Sequence, residues 1–394
     1  MESGALTSDW LPAYQAVLRE SFVPDVIWPG VGPADGGPVA SIDRRTDPEG
    51  WFRAVYSDTS LTTQWDDGDH TGPDRGNIPT CSNSQPVMVF SMLAALDVQP
   101  GSKVLEVGTG TGWNAALLSE RVGSENVTTV EFDAENASTA RARLDAAGYD
   151  PVAVVGDGSE GWPAGAPYDR VLITASLREI PADIVRQTRP GGVVVAPYAT
   201  EYGGEGVVRL TVGEDGSACG PFVGSSAFMR LRQQRSSRVH VREYLGGRAW
   251  PADGVRSATT ISPEELGGWL AMFAVGLRTT GVFPWAEEYG DGSYTLWLRD
   301  TEVTSWATVD HEPGARTFEV RQSGPRRLWD EVRGAFLWWR GQDRPGFGRF
   351  GLSVGADGVT RAWLDTPDRP LPVPAVGRSQ AFVPSSASAA SVRR

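Results

Sequence analysis

The 394-residue chain predicts an α/β domain built on a parallel sheet, followed by a smaller α+β domain. Two observations carry the first part. Between residues 103 and 197 short apolar runs alternate with helical patterns, as in a doubly wound sheet. Within that stretch Val104-Leu105-Glu106-Val107 runs into Gly108-Thr109-Gly110-Thr111-Gly112 and then Trp113-Asn114-Ala115-Ala116-Leu117, a strand, a glycine turn and a helix start. The third observation is a change of texture after about residue 235. Nine of the 15 tryptophans fall there, and the strand–helix alternation stops.

In chain order, Asp9 to Glu20 reads as a helix, and 29–50 and 64–82 read as turn-rich loops, the second facing a substrate. After Pro86, Val89, Met92, Leu93 and Leu96 recur at helical spacing until the Asp97–Gly101 turn. Strands are expected at 103–108, 126–132, 151–156, 168–175 and 191–197, with helices at 112–122, 134–147 and 181–188. Strands at 206–213 and 221–232 have no helix between them, which predicts an antiparallel hairpin at the sheet edge. Ser262-Pro263 opens a helix through Leu277. Strands at 293–299, 304–309 and 316–322 precede a helix at 325–340, where Leu328, Val332, Phe336 and Trp339 share a face. Strands at 349–354 and 359–364 flank the turn Ala356-Asp357-Gly358. Trp269, Trp329 and Trp339 sit on apolar helix faces and are expected in the core. The expected organisation is a helix and loops over 1–85 packed on a sheet domain over 86–235, a Trp-rich α+β domain over 236–377, and a disordered Ser/Ala-rich tail over 378–394.

Composition removes several function classes. A net charge of −13 argues against a nucleic-acid partner. No apolar run is long enough for a membrane span, and the first residues lack a signal pattern. With only Cys81 and Cys219, this fits the reducing cytoplasm. His70, His240 and His311 are too scattered to suggest a metal site, and Asp66, Asp67, Asp69 and His70 read as a solvated loop. Oligomeric state is not legible.

The ends of the first four parallel strands face one sheet edge. The glycine turn ends the first. Glu131-Phe132 ends the second, about 20 residues beyond Gly112, where a carboxylate accepts both hydroxyls of a ribose. A solvated strand-end acid is equally compatible. Asp157 lies between Gly156 and Gly158 after the third, within reach of an adenine amino group, and Thr174 ends the fourth. Together they favour an adenosine ligand. The spacing is G-x-G-x-G, with no phosphate-binding lysine, and Glu106 beside the turn is a poor neighbour for pyrophosphate but a good one for a cation. That combination indicates S-adenosylmethionine, hence methyl transfer by a Rossmann-like methyltransferase domain. Its expected contacts are Glu106, Gly108, Thr109, Gly110, Gly112, Glu131, Phe132, Asp157, Gly158 and Thr174.

Several ordered motifs then become specific. They include Arg19-Glu20-Ser21-Phe22-Val23-Pro24, Ser84-Gln85-Pro86-Val87-Met88, Leu105 to Leu118, Gly156-Asp157-Gly158-Ser159-Glu160-Gly161-Trp162 and Pro190-Gly191-Gly192. Over about residues 12–235 the chain resembles the protein-L-isoaspartate (D-aspartate) O-methyltransferase family. The resemblance implies esterification of a peptide carboxylate, with Ser84 beside it at the active site. Ser84, Asn83 and Ser82 are the catalytic candidates, small donors suited to orienting a carboxylate; they also fit as the cap region before the helix at 86–96.

Pro79-Thr80-Cys81-Ser82-Asn83 departs from the repair enzymes, as does the Trp-rich second domain. In both domains the chain is more similar to homologues that methylate an L-Asp side chain in ribosomally made peptides, matured by ATP-grasp (graspetide) or lanthipeptide enzymes. The expected partner is therefore a precursor peptide, macrocyclised beforehand, whose ester collapses to aspartimide with loss of methanol. An isoaspartate repair enzyme with an extra domain is the alternative, and a non-catalytic cofactor-binding scaffold is the alternative of another class.

Overall fold

A computed structural model of the protein describes residues 4–30, 41–236, 239–247 and 250–372; the expected tail over 378–394 lies outside them. The chain opens with α1 (Leu11–Ala16), shorter than expected, because the backbone leaves the helix at Val17 and forms a 3-10 turn over Arg19–Phe22. The two expected loops contain regular structure. The first holds β2 (Ile42–Asp43), with β1 (Val26–Pro29) running into it and α2 (Pro48–Val55) starting at its end; β3 (Leu61–Trp65) runs into the second, which holds most of β4 (Pro79–Asn83). The four strands form an antiparallel sheet in the order β2-β1-β3-β4. The side chain of Asp47 caps α2 by accepting from the Gly50 N–H, and Pro48 takes the first helical position. Trp51 and Val55 then pack on Ile27 and Leu61. Polar residues hid these strands, because their pairing partners are distant in sequence.

The alternating region forms as its pattern requires: α3 (Pro86–Leu96), β5 (Val104–Val107), α4 (Trp113–Val122), β6 (Val127–Glu131), α5 (Ala134–Ala146), β7 (Val152–Val155), β8 (Tyr168–Ile173), α6 (Ala182–Gln187) and β9 (Thr188–Tyr198). These five strands lie parallel in the order β9-β8-β5-β6-β7. β10 (Gly206–Val212) and β11 (Ala218–Ser225) continue the sheet antiparallel.

The hairpin does not end the sheet. After a crossing through α7 (Val241–Tyr244), β12 (Val255–Thr259), α8 (Pro263–Leu266), α9 (Trp269–Gly276), β13 (Val282–Glu288), β14 (Tyr294–Asp300), β15 (Trp306–His311), β16 (Phe318–Ser323) and α10 (Leu328–Gly341), the chain returns as β17 (Phe350–Val354) and β18 (Thr360–Leu364). β17 pairs with β11 and β18 with β17, giving nine strands in all. Strands β12 to β16 make a separate antiparallel sheet in the order β12-β16-β15-β14-β13. The helix expected over 263–277 is two helices. The capping box of Ser262 and Glu265 starts α8, and Gly267-Gly268 breaks it before α9.

One core runs through both sheets. Phe222 of β11 and Phe350 of β17 meet Phe273 of α9 at centroid distances of 4.8 and 5.7 Å. Leu328, Val332 and Phe336 of α10 belong to the same cluster. Gly204, at φ +66°, lets α9 close on the preceding loop; a Cβ there would collide with the backbone of Phe273 and Trp269.

Candidate active site

β5 sits at the switch point of the parallel sheet, with β6 on one side and β8 on the other, where such sheets open a crevice. A cavity of about 1080 Å³ lies there, walled by the glycine turn, the β3–β4 hairpin, residues 199–205 and 227–236, and two side chains of the second domain.

The donor side is built from strand ends. Gly108 has φ +97°, and a Cβ on it would stand 2.5 Å from the Thr174 hydroxyl, so only glycine lets the turn pass β8. Thr174 Oγ1 donates to Gly108 O at 2.6 Å. Glu131 accepts from the Gly110 N–H through Oε2 (2.8 Å) and from the Asp133 N–H through Oε1 (3.0 Å). Its carboxylate thus stands against the turn, unfavourable for an anionic phosphate and suited to the hydroxyls of a ribose. Gly108, Thr109, Gly110, Glu131, Phe132, Gly158 and Thr174 all line the cavity.

Three expected cofactor contacts are placed differently. Gly112 begins α4, packed on Ala140 and Leu144 away from the lining. Asp157 caps the turn over Gly158–Glu160 by accepting from the N–H and hydroxyl of Ser159, leaving Gly158 as the lining residue. Glu106 is fully buried behind the turn. Its Oε1 accepts from Asn114 Nδ2 and its Oε2 from Thr129 Oγ1, both at 2.6 Å, and Thr129 Oγ1 meets Thr109 Oγ1 at 2.6 Å. Burial pushes its carboxyl up to about 7, against the hydrogen bonds from Thr129 and Asn114. Glu106 therefore braces Asn114 and Thr109, which line the cavity, and is not itself part of the lining.

Beside the glycine turn, Ser82, Asn83 and Ser84 line the cavity together. Asn83 is 1% exposed, and its amide is occupied: Oδ1 accepts from Arg19 Nε (2.6 Å) and Nδ2 donates to Thr111 Oγ1 (2.9 Å). It ties this wall to the glycine turn, and Ser82 and Ser84 line the cavity on either side of it in sequence. Arg19 holds this wall. Though buried, it donates to the carbonyls of Val55 (2.7 Å), Thr59 (2.9 Å) and Ser84 (2.9 Å) besides Asn83. Burial lowers its pKa to about 10, so it stays protonated at neutral pH. The Cys81 thiol is pushed up to about 12 by burial and is inert at neutral pH.

Sequence reasoning missed two groups. Trp269 and Phe283 enter the cavity from the second domain. Trp269, expected in the core, is 38% exposed because the Gly267-Gly268 break turns α9 so that its first residue faces the opening. Trp329 and Trp339 are buried at 2% and 6%. The other group is an ion-pair strap. Arg232 joins Asp133 (2.8 Å) and Asp67 (3.0 Å), and Arg235 joins Asp67 (2.9 Å), so the loop after β3, the start of α5 and segment 231–235 are clasped over the donor side. Asp67, from the loop expected to be solvated, is the hub; Asp66 accepts from the N–H groups of Asn77 and Ile78. No local pattern pairs Asp67 with arginines so far along the chain.

A strand-end nucleoside cradle facing a hydroxyl-lined acceptor wall defines an α/β enzyme of the methyltransferase type, and S-adenosylmethionine fits its donor side. The sequence profile described as Protein-L-isoaspartate(D-aspartate) O-methyltransferase (PCMT) matches residues 39–236, half of the chain. The chain belongs to that family. It is 47% identical over 122 residues to a protein-L-isoaspartate O-methyltransferase of Ignicoccus hospitalis, a match covering 30% of this chain and 58% of that one. It is 42% identical over 151 residues to protein-L-isoaspartate O-methyltransferase 2 of Archaeoglobus fulgidus, covering 38% of this chain and 68% of that one. A solved structure described as protein-L-isoaspartate O-methyltransferase superposes with a TM-score of 0.50 over 93% of this chain and 97% of its own, at 18% identity. That likeness extends the shared fold through the second domain. Among the described residues no helix is long and apolar enough to cross a membrane.

Proposed function

We propose that the protein transfers a methyl group from S-adenosylmethionine to the free carboxylate of an aspartyl-type residue in a polypeptide, with an L-isoaspartyl residue as the first acceptor; there the side-chain carbonyl carries the peptide bond and the α-carboxylate is the nucleophile. The observation that carries this is one cavity that brings the glycine turn and the Glu131 carboxylate together with the hydroxyls of Ser82 and Ser84. When bound, S-adenosylmethionine supplies a methyl carbon made electrophilic by its sulfonium. The acceptor carboxylate is already ionised at neutral pH and needs no general base. One of its oxygens bonds to the methyl carbon, the carbon–sulfur electron pair stays on sulfur, and no proton moves. The chain's task is alignment, which is worth roughly 7–11 kcal/mol when geometry is held. Arg19 and Asn83 serve that by fixing the wall bearing Ser84. Walls that exclude water also favour a step in which opposite charges cancel.

A second acceptor is favoured by Trp269 and Phe283, which narrow the acceptor side with aromatic surface from the second domain. It is an ordinary L-Asp side chain in a ribosomally made, macrocyclised peptide of the graspetide type. There the next backbone amide nitrogen displaces methanol from the ester, leaving aspartimide. Mass spectrometry after incubation with cofactor and either a simple isoaspartyl peptide or a cyclised precursor separates the two. Gain of one methyl on the isoaspartyl peptide supports the first reading. Methylation confined to the precursor, followed by methanol loss, supports the second. No methyl gain on either, with cofactor bound, sinks both and revives the scaffold.

A further inference from the structure

Phe283 of β13 is half-buried and lies in the cavity wall. Residues alternate along a strand, so Phe283, Trp285 and Glu287 share one face, opposite Val282, which is buried in the core against α10. Trp285 is 52% exposed, and exposure continues through Glu288 and the turn to Gly292. β13 is also the last described strand of its sheet. The odd-numbered residues pair with β14, as the bonds from Thr301 N to Gly281 O and from Tyr289 N to Ser293 O show on either side of the strand. The backbone groups of Ala286 and Glu288 therefore face the open edge, and Pro284, which has no N–H, costs the ladder nothing there.

Charge follows the same line. Glu287 accepts from Trp297 Nε1 through one oxygen, and Asp291 accepts from the Ser293 N–H. Glu287, Glu288 and Asp291 form no ion pair with a described arginine or lysine. The strand thus leads from the cavity across an aromatic step to an acidic end that forms no ion pair among the described residues. Successive same-face positions are about 7 Å apart.

We infer that β13 is the track on which the acceptor polypeptide lies: an extended segment whose reactive carboxylate enters the cavity past Phe283, with an apolar side chain on Trp285 and a basic side chain at Glu287, whose negative charge Glu288 reinforces from the strand's other face. This rests on the polypeptide carboxylate reading above and adds the flanking chemistry it selects. An aromatic anchor beside a buried site gives contact area at low entropic cost, and extended peptides commonly take such open strands.

The test uses full-length protein, its Trp285→Ala and Glu287→Gln/Glu288→Gln variants, and two aspartyl-type peptides. One carries leucine two residues and arginine four residues from the acceptor; the other has glycine at both places. Wild type should prefer the flanked peptide at least tenfold in kcat/KM, and each variant should lose most of that preference with its thermal midpoint unchanged. Equal kcat/KM for the two peptides in wild type, or a preference that survives Trp285→Ala, overturns the track. Calorimetric binding of both peptides separates this from failure of the reaction assignment. If no methyl transfer occurs yet the flanked peptide binds wild type more tightly than Trp285→Ala, the surface stands and the chemistry falls. If binding shows no difference either, the track falls with it.

Discussion

Replacing Glu106 by glutamine tests whether this carboxyl braces the site or neutralises the cofactor's positive charge. The ordinary pKa of 4.5 is raised to about 7 because burial penalises the ionised form more than Thr129 and Asn114 support it. A carboxyl raised on folding stabilises the fold most below its unfolded pKa, and that contribution disappears as pH climbs through the folded value. Between about pH 5.5 and about pH 8.5 wild type should therefore lose about 2 kcal/mol relative to Glu106→Gln, from linkage between these two values. The substitution suits the site: Oε1 still accepts from Asn114, and the new NH₂ donates to Thr129, whose hydroxyl passes a bond to Thr109. Urea unfolding of both proteins across this range gives the difference directly. Calorimetric titration with S-adenosylhomocysteine should show a smaller loss of affinity for Glu106→Gln than for Glu131→Gln, since only Glu131 lines the cavity. A stability difference constant with pH would refute the neutral, bracing Glu106, and a larger affinity loss than Glu131→Gln would return it to the ligand.

Two further outcomes follow from the walls. Arg19→Lys offers three donors from a point charge where a planar fork now serves Asn83 and the carbonyls of Val55, Thr59 and Ser84. Leaving buried carbonyls unpaired should cost about 3 kcal/mol in urea unfolding and raise KM for the acceptor more than Kd for the cofactor; unchanged stability would count against a bracing role. Asp67→Ala removes the hub of the strap, and stopped-flow release of S-adenosylhomocysteine should quicken several-fold at low salt, with wild type approaching the variant as salt rises. Equal release rates at low salt would show that the strap does not hold the donor side.

The parallel sheet was legible because its strands announce themselves locally: Val104 to Val107 is buried throughout and apolar but for Glu106, and Val193 to Ala196 is apolar on both faces, as strands covered on both sides must be. The glycine turn was legible for the same reason, its geometry being set within five residues. What could not be read was pairing across distance. Thr62-Thr63-Gln64 looks like loop until β1 and β4 supply its partners. Arg19 looks like one charge among many until Asn83 is folded against it. Glu106 stands beside the turn in sequence, but a side chain within a strand projects perpendicular to the sheet, into the layer, and the strand tip is what lines the cavity. The residues at that tip, Gly108, Glu131 and Thr174, line the cavity as expected.

The same distance effect changes what the second domain is. Read as texture, the Trp-rich region is an appended module, and joined by a linker it would present a peptide at a variable distance from the methyl donor. The structure attaches it at both ends of its length. Segment 226–236 leaves the donor side through the strap, and β17 returns to pair with β11 in the central sheet. Between them α9 closes on Gly204 so tightly that no side chain fits there, and Phe273 is shared by both halves of the core. Interfaces this apolar are not those of domains that move freely. Trp269 opens the helix that makes this contact, and Phe283 follows a few residues beyond it. The aromatic part of the acceptor wall is thus held at a set distance from the donor wall by the core itself. A reaction that depends on alignment needs that rigidity, because a displacement of about 1 Å in such a site can cost 100-fold in rate. On the proposed reaction, selection of the acceptor is therefore a property of the whole fold.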